Sequence, residues 1–441
     1  MNIQRLDLSK PVMAQFELTY LCNHKCPHCY RLNSDVRDRS ETETISDETI
    51  MSVANEIVNS QIFNVVITGG EPLIEPELVG KVISFFIEND VQVGLNTNIT
   101  LLQNNMLNFL KETRTSILTS CPSYNKAKYN YMVGADKYDI FCKRLRNIYD
   151  AGAKCSVNMV VNKNNVEDVR STAIFLKELG CTSFSATPMF LNMSQPQVDL
   201  LLSKEEVQKV IIDLLWIEET LGMNVDILES LPKCIFPPHI RNNSQNFLNR
   251  KCQAGRTVVG ISPNGDVRPC STNINIYGNI LREDIRTIWD RMIQWRSTDY
   301  FPAECKRCSW INRCNAGCRI NSKTVYGEWD SPEIWSIAPI MEHPQSDYKV
   351  SSLSGDTKIK LNKNYRIREE YTNIFVIYII DDGAFLMVNK DLMNFITTMG
   401  NIAFSTIGEL ATIFNIPVSD KNFQNTLNLL INKKLLQHEQ N

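Results

Sequence analysis

The sequence predicts an α/β chain whose first half is a parallel sheet curved towards a barrel, followed by a cysteine-rich segment and a small α+β tail. Three observations predict it. Between residues 15 and 188, β-rich runs alternate six times with helix-period runs, the pattern of successive βα units. Six of the 14 cysteines then fall between Cys252 and Cys318. Three strand candidates followed by three helical patterns close the chain.

The strand candidates of the first half are 16–20, 64–68, 91–96, 115–119, 154–160 and 182–187, short runs rich in β-branched and apolar residues. The helix after the first strand can be capped by Ser46, and it carries Ile50, Val53, Ala54, Ile57 and Val58 on one face. Gly152 and Gly180 stand where two later helices should stop. Chemistry on such a sheet is expected at the C-terminal ends of the strands. A polar, Asn-rich stretch at 241–249 breaks the pattern and leads to the cysteine-rich region, which reads as a separate module running to about residue 335. A second linker, 342–356, precedes tail strands at 365–368, 374–380 and 384–388 and helices at 390–399, 406–414 and 419–434. Three strands and then three helices suggest a winged-helix-like domain. The expected divisions are 1–225, a linker 226–250, 251–341 and 357–441.

Composition narrows the function classes. The 46 Lys and Arg against 49 Asp and Glu leave a net charge of −3, so no surface bias towards nucleic acid or anionic membrane is expected. The most apolar short run, 374–380, is far shorter than the roughly 20 residues of a membrane span. Residues 1–16 contain no apolar stretch of the secretory kind, and a cytoplasmic location is expected. In a reducing compartment, 14 cysteines are better read for metal ligation or catalysis than for disulfides.

The first constellation is Cys22-x3-Cys26-x2-Cys29, just after the first strand. Three thiolates on one short loop can hold three irons of a 4Fe-4S cube and leave the fourth open to another ligand. A zinc knuckle, with His24 and His28 as competing ligands, is the alternative. The second strand ends in Thr68-Gly69-Gly70-Glu71-Pro72. Paired glycines allow close backbone approach to a ligand, and Glu71 offers an acceptor for an ammonium group.

Together these motifs resemble the radical S-adenosylmethionine (radical SAM) superfamily, whose members carry CxxxCxxC followed by GGEP on a partial (β/α)6 barrel. The resemblance covers about residues 12–225. It implies that Cys22, Cys26 and Cys29 hold the catalytic 4Fe-4S cluster and that Gly69, Gly70 and Glu71 bind S-adenosyl-L-methionine. It further implies that Asn98, Ser120 and Asn158 contact the nucleoside or methionyl part. His28 stands where members often place an aromatic. Cys121, Cys142, Cys155 and Cys181 read as small buried hydrophobes, with Cys121 a candidate to line the cavity.

The third constellation is Cys252-x12-Gly265-x4-Cys270, then Cys305-x2-Cys308-x5-Cys314-x3-Cys318, with Asn264-Gly265 marking a hairpin turn. A pair of zinc sites is the alternative. The region resembles the SPASM domain, which carries two auxiliary clusters in many peptide-modifying radical SAM enzymes. The resemblance assigns Cys252, Cys270 and Cys318 to an inner cluster and Cys305, Cys308 and Cys314 to an outer one. SPASM domains usually end with one more cysteine; here Asp330-Ser331-Pro332-Glu333 stands in its place, so Asp330 or Glu333 is a candidate outer ligand. Cys234 is the spare upstream cysteine for the inner cluster.

The tail resembles the PqqD-like leader-recognition domain of ribosomally made peptide pathways. Its nine Lys and Arg against eight Asp and Glu over 357–441 lack the basic face of a DNA reader. An edge strand accepting an extended peptide is expected instead, with 384–388 as that edge and the last helix as the groove wall. The resemblance implies a radical SAM/SPASM maturase acting on a precursor peptide, supplied with electrons by a donor such as flavodoxin or ferredoxin. An intramolecular thioether crosslink is the expected product. Carbon–carbon crosslinking, epimerisation with Cys121 or Cys234 as hydrogen donor, and anaerobic sulfatase maturation are alternatives, as is a zinc-bearing peptide-binding module without catalysis.

Overall fold

The computed structural model describes residues 8–30, 45–194, 196–241, 250–344 and 352–438, which fall into two compact units, Met1–Pro344 and Gln345–Asn441. The first unit opens with β1 (Met13–Thr19), α1 (Asp47–Asn59), β2 (Asn64–Gly69), α2 (Pro76–Glu88), β3 (Gln92–Asn96), α3 (Asn104–Glu112) and β4 (Ser116–Ser120). It continues through α4 (Lys126–Val133), α5 (Tyr138–Asp150), β5 (Cys155–Val161), α6 (Val169–Glu178), β6 (Ser183–Pro188), α7 (Lys204–Leu221) and β7 (Asn224–Asp226). Strands β1 to β7 lie side by side in chain order, each parallel to the next. This is the parallel sheet that the six alternating βα units predict.

The local chemistry sets these elements. Ser46 caps α1, its hydroxyl accepting from Thr49 N at 3.3 Å, and Ile50, Val53, Ala54 and Ile57 are buried on one face. Gly152 and Gly180 follow α5 and α6 with φ of +69° and +100°, where a side chain would be strained. Phe16, Ile67, Leu95, Val157 and Phe184 contribute wholly buried side chains from five strands, in register on one face of the sheet. All six expected strands are present. The seventh, β7, is three residues long with Asn224 and Asp226 at its ends, too short to show a period.

The cysteine-rich region is not set apart from this sheet. Its strands are β8 (Val258–Ile261), β9 (Asp266–Arg268) and β10 (Gly278–Asn279). β8 runs parallel to β1 with Val258 opposite Met13, and β9 and β10 follow antiparallel, giving a ten-stranded sheet. The Asn264-Gly265 hairpin is thus formed, but it extends the barrel. An ion pair of 2.9 Å between buried Arg268 and Glu17 fastens β9 to β1, and Ser271 Oγ donates to Gln15 Oε1 at 2.7 Å. Short helices follow: α8 (Ile285–Arg291), α9 (Ile293–Arg296), α10 (Ala303–Lys306), α11 (Ile311–Cys314) and α12 (Arg319–Tyr326).

The linker expected at 226–250 requires correction over its described part. Ile227, Leu231, Cys234, Ile235, Phe236 and Ile240 are buried, because this segment carries enough apolar side chains to pack rather than span. The Asn-rich stretch itself lies, apart from Arg241, outside the described residues, as does 345–351 of the second linker.

The second unit contains β11 (Ile359–Leu361), β12 (Tyr365–Tyr371), β13 (Ile374–Ile379), β14 (Ala384–Asn389), α13 (Lys390–Asn401), α14 (Ile407–Ile413), α15 (Lys421–Asn432) and β15 (Leu436–His438). β12, β13 and β14 form an antiparallel sheet in that order, so β12 and β14 are its edges. Ile377, Ile379, Leu386 and Val388 pack with Ile396, Met399, Leu410, Leu427 and Leu430 in one core. Thr406 and Glu409 form a capping box on α14. The β11–β15 ladder, which joins the two ends of this unit, was not legible because each strand is three residues long. No helix among the described residues is long and apolar enough to cross a membrane.

Candidate active site

Cys22, Cys26 and Cys29 lie on the loop leaving the C-terminal end of β1, all partly exposed. The loop is held from three sides. Lys25 N donates to Val133 O at 2.8 Å; Asn23 Nδ2 donates to Thr100 Oγ1 at 2.9 Å; and Asn192 Nδ2 donates to Cys29 O at 3.1 Å. Gly134, which ends α4 at φ +63°, is required there, since a Cβ would stand 2.5 Å from Lys25 O. Surrounding protein pushes the His24 and His28 imidazoles down to about pKa 4, so both are neutral at pH 7.

The turn after β2 braces this loop. Gly70 N donates to Thr19 O and Glu71 N to Leu21 O, each at 2.7 Å. A Cβ on Gly70 would lie 1.8 Å from Leu21 O, and one on Gly69 2.5 Å from Thr19 O. The close approach expected of the paired glycines is therefore to the backbone that launches the cysteine loop. Glu71 also has a bracing role. Its carboxylate, 1% exposed, accepts from Leu73 N at 2.9 Å, Thr97 Oγ1 at 2.6 Å and Asn98 N at 2.7 Å. Burial raises its pKa. Three internal donors leave the carboxylate acceptor capacity for a further partner, and the side chain locks the ends of β2 and β3 together.

The remaining polar candidates line the same ends of the strands. Asn98 accepts from Thr100 N at 3.0 Å and donates to Asn23 Oδ1 at 2.7 Å, which ties the end of β3 to the cysteine loop. Ser120 is exposed at the end of β4, and its register partner on β5 is Asn158. Asn158 is buried and accepts from Thr187 Oγ1 at 2.8 Å. Cys121, expected as a cavity candidate, is instead wholly buried, its thiol directed to Ser123 O.

Two groups of thiols stand in the cysteine-rich region. Burial raises the pKa of Cys252, Cys270 and Cys318, that of Cys252 to about 11; Cys270 adds to the rise at Cys252, and both add to it at Cys318. Two carboxyls are near them: Glu229, which is exposed, and Glu333, 2% exposed, which burial lifts to about pKa 7. Cys305, Cys308 and Cys314 line a separate small pocket, with Cys234. Asn315, Ala316 and Gly317, all with positive φ, reverse the chain between Cys314 and Cys318, so near neighbours in sequence serve different groups.

One connection escaped the sequence reading. The loop after β6 touches three cysteine-bearing segments: Asn192 donates to Cys29 O, Met193 N to Thr272 O at 3.2 Å, and Leu191 N to Asn321 Oδ1 at 3.0 Å on the helix that Cys318 begins. Asn192 and Asn321 carry no motif, and only their tertiary partners reveal them.

A sequence profile of the radical SAM superfamily matches residues 16–176, and a profile of the SPASM iron-sulfur cluster-binding domain matches 252–309. The chain therefore carries a radical SAM domain followed by a SPASM domain. It is 25% identical over 321 residues to the antilisterial bacteriocin subtilosin biosynthesis protein AlbA of Bacillus subtilis, spanning 70% of this chain and 67% of AlbA. It is 24% identical over 373 residues to the mycofactocin maturase MftC of Mycolicibacterium smegmatis, covering 80% of this chain and 92% of MftC. Among solved structures, Streptococcus suis SuiB bound to its precursor peptide SuiA superposes with a TM-score of 0.60 at 16% identity, covering 75% of this chain and 76% of SuiB. As a radical SAM enzyme with a SPASM domain, the chain uses a 4Fe-4S cluster, S-adenosylmethionine and auxiliary iron-sulfur clusters.

The donor chemistry fits these groups. Three thiols on one braced loop suit a cube with one iron left open. The thiols of the SPASM region must release their protons to bind iron. Among the described residues, no three His, Cys, Asp or Glu side chains are gathered closely enough to hold a single metal ion, and a four-iron cube keeps its thiolates farther apart than one ion does.

Proposed function

We propose that this radical SAM enzyme modifies a ribosomally made precursor peptide and forms intramolecular thioether crosslinks in it. When bound and reduced, the cluster group supplies the electron that splits S-adenosylmethionine into methionine and a 5′-deoxyadenosyl radical, the agent of hydrogen abstraction. Cys22, Cys26 and Cys29 are the residues to hold it, with Gly69, Gly70 and Glu71 fixing their loop. Asn98, Ser120 and Asn158 are the polar groups to orient the cofactor. The observation that carries the thioether reading is the inner group, where Cys252, Cys270 and Cys318 gather without a fourth cysteine. Three protein thiols leave one ligand position for a thiol of the substrate.

Support for a peptide substrate comes from the relatives, since AlbA serves bacteriocin biosynthesis and SuiB is seen with a precursor peptide. The tail unit is assigned to leader recognition through a strand added at its sheet edge, and reducing power to an external flavodoxin or ferredoxin. Two observations weaken the epimerase alternative. Of its proposed hydrogen donors, Cys121 is buried in the core and Cys234 sits in the outer pocket. Mass spectrometry of the product tests the reading. A thioether product is lighter by two hydrogens per crosslink, resists reductant and loses one alkylatable thiol. A product that keeps every thiol alkylatable points to carbon–carbon crosslinking, and an unchanged mass with inverted stereochemistry points to epimerisation.

A further inference from the structure

We infer that Cys234 is the fourth thiolate of the outer SPASM cluster, completing a set with Cys305, Cys308 and Cys314. The inference rests on the reading of the SPASM region as an iron-sulfur module, and it reassigns a cysteine that sequence spacing had offered to the inner cluster. All four side chains line one pocket, and all four are buried, at 5% to 7% exposure. The residues expected to replace the missing cysteine are engaged or exposed. Glu333 accepts from Asn321 Nδ2 at 2.9 Å and Trp335 N at 2.8 Å, and Asp330 is exposed.

Three of the four sulfurs accept a backbone N–H. Ile337 N donates to Cys234 Sγ at 3.1 Å, Ile340 N to Cys308 Sγ at 3.3 Å and Lys233 N to Cys314 Sγ at 3.3 Å. Amide donors aimed at sulfur stabilise charge on it and tune a cluster bound there. The 336–340 segment, downstream of Cys318 where a final cysteine is usual, thus contributes N–H groups while Cys234 contributes the sulfur. Lys233 adds a second, independent sign. Its side chain is 2% exposed, its Nζ lies 5.2 Å over the Phe236 ring, and it lines the same pocket. None of the ion pairs found among the described residues includes it. A buried cation is rarely left without an anion, and a cube with four thiolates is net negative.

The assignment also accounts for every cysteine. Cys22, Cys26 and Cys29 serve the β1 loop; Cys121, Cys142, Cys155 and Cys181 belong to the barrel; four serve the outer group; and Cys252, Cys270 and Cys318 remain.

The test uses the full chain carrying Cys22→Ala, Cys26→Ala and Cys29→Ala, so that only SPASM clusters contribute. Adding Cys234→Ala should remove about four irons per chain, or leave a three-iron cluster with a new electron paramagnetic resonance signal in the oxidised protein. Adding Cys142→Ala, in the barrel helix α5, should leave iron unchanged. Cys234→Ser, which keeps the volume and offers an oxygen ligand, should retain iron but shift the resonance and reduction potential of one cluster, a change that a packing role does not produce. Unchanged iron and spectra in both Cys234 variants would overturn the assignment while leaving the iron-sulfur reading intact. Zinc in place of iron in the parent variant would overturn both.

Discussion

Glu71 shows how a residue can be legible in type while its structural role stays hidden. A carboxylate beside a cofactor loop suggests a contact to an ammonium, and here it also receives Leu73 N, Thr97 Oγ1 and Asn98 N. Those partners come from its own turn and from the end of the next strand, and no local pattern reveals the second set. Glu71→Ala should therefore act through the protein as well as through a lost cofactor contact. Each buried donor left unsatisfied costs about 1–3 kcal/mol, so thermal denaturation should show a loss of several kcal/mol, with S-adenosylmethionine cleavage impaired in parallel. A variant with wild-type stability and weakened cofactor affinity alone would show that the ammonium contact is its whole role. The cysteines were easier to read because their spacing is itself the chemistry; what spacing cannot show is which sulfurs meet, as Cys314 and Cys318 demonstrate on either side of three left-handed residues.

At the scale of elements, the six long strands and their helices were readable because alternation and caps are local signals. The strands that escaped, β7, β10, β11 and β15, are two or three residues each, and tertiary pairing alone defines them. The hairpin of β8 and β9 was visible as a hairpin, but its pairing with β1 was not, since parallel register depends on a strand more than 200 residues away. The turn after β2 is the element on which the cysteine loop depends most directly. Gly70→Ala places a Cβ 1.8 Å from Leu21 O, and backbone on both sides must move. The expected outcome is loss of S-adenosylmethionine cleavage with the SPASM iron retained. Full cleavage activity in this variant would show that the turn does not position the loop.

The whole molecule divides its labour between two units. One sheet joins the barrel to the SPASM hairpin, and the loop after β6 ties segments bearing Cys29, Cys270 and Cys318 into a single unit, so the three segments keep a fixed relation to one another within that unit. The tail has its own hydrophobic core, its own capped helices and a ladder that closes its two ends. A unit that buries its own apolar surface can be removed without opening another core. Truncation after Pro344 should accordingly leave reductive cleavage of S-adenosylmethionine, measured without peptide, largely intact. Turnover of the full precursor should fall steeply, because the tether that raises the local concentration of the core peptide is lost. Precursor supplied without its leader should be processed slowly and equally by both forms, since neither then uses the tail. Equal rates on the full precursor would remove leader recognition from the tail and leave the barrel and SPASM unit as the whole of the substrate site.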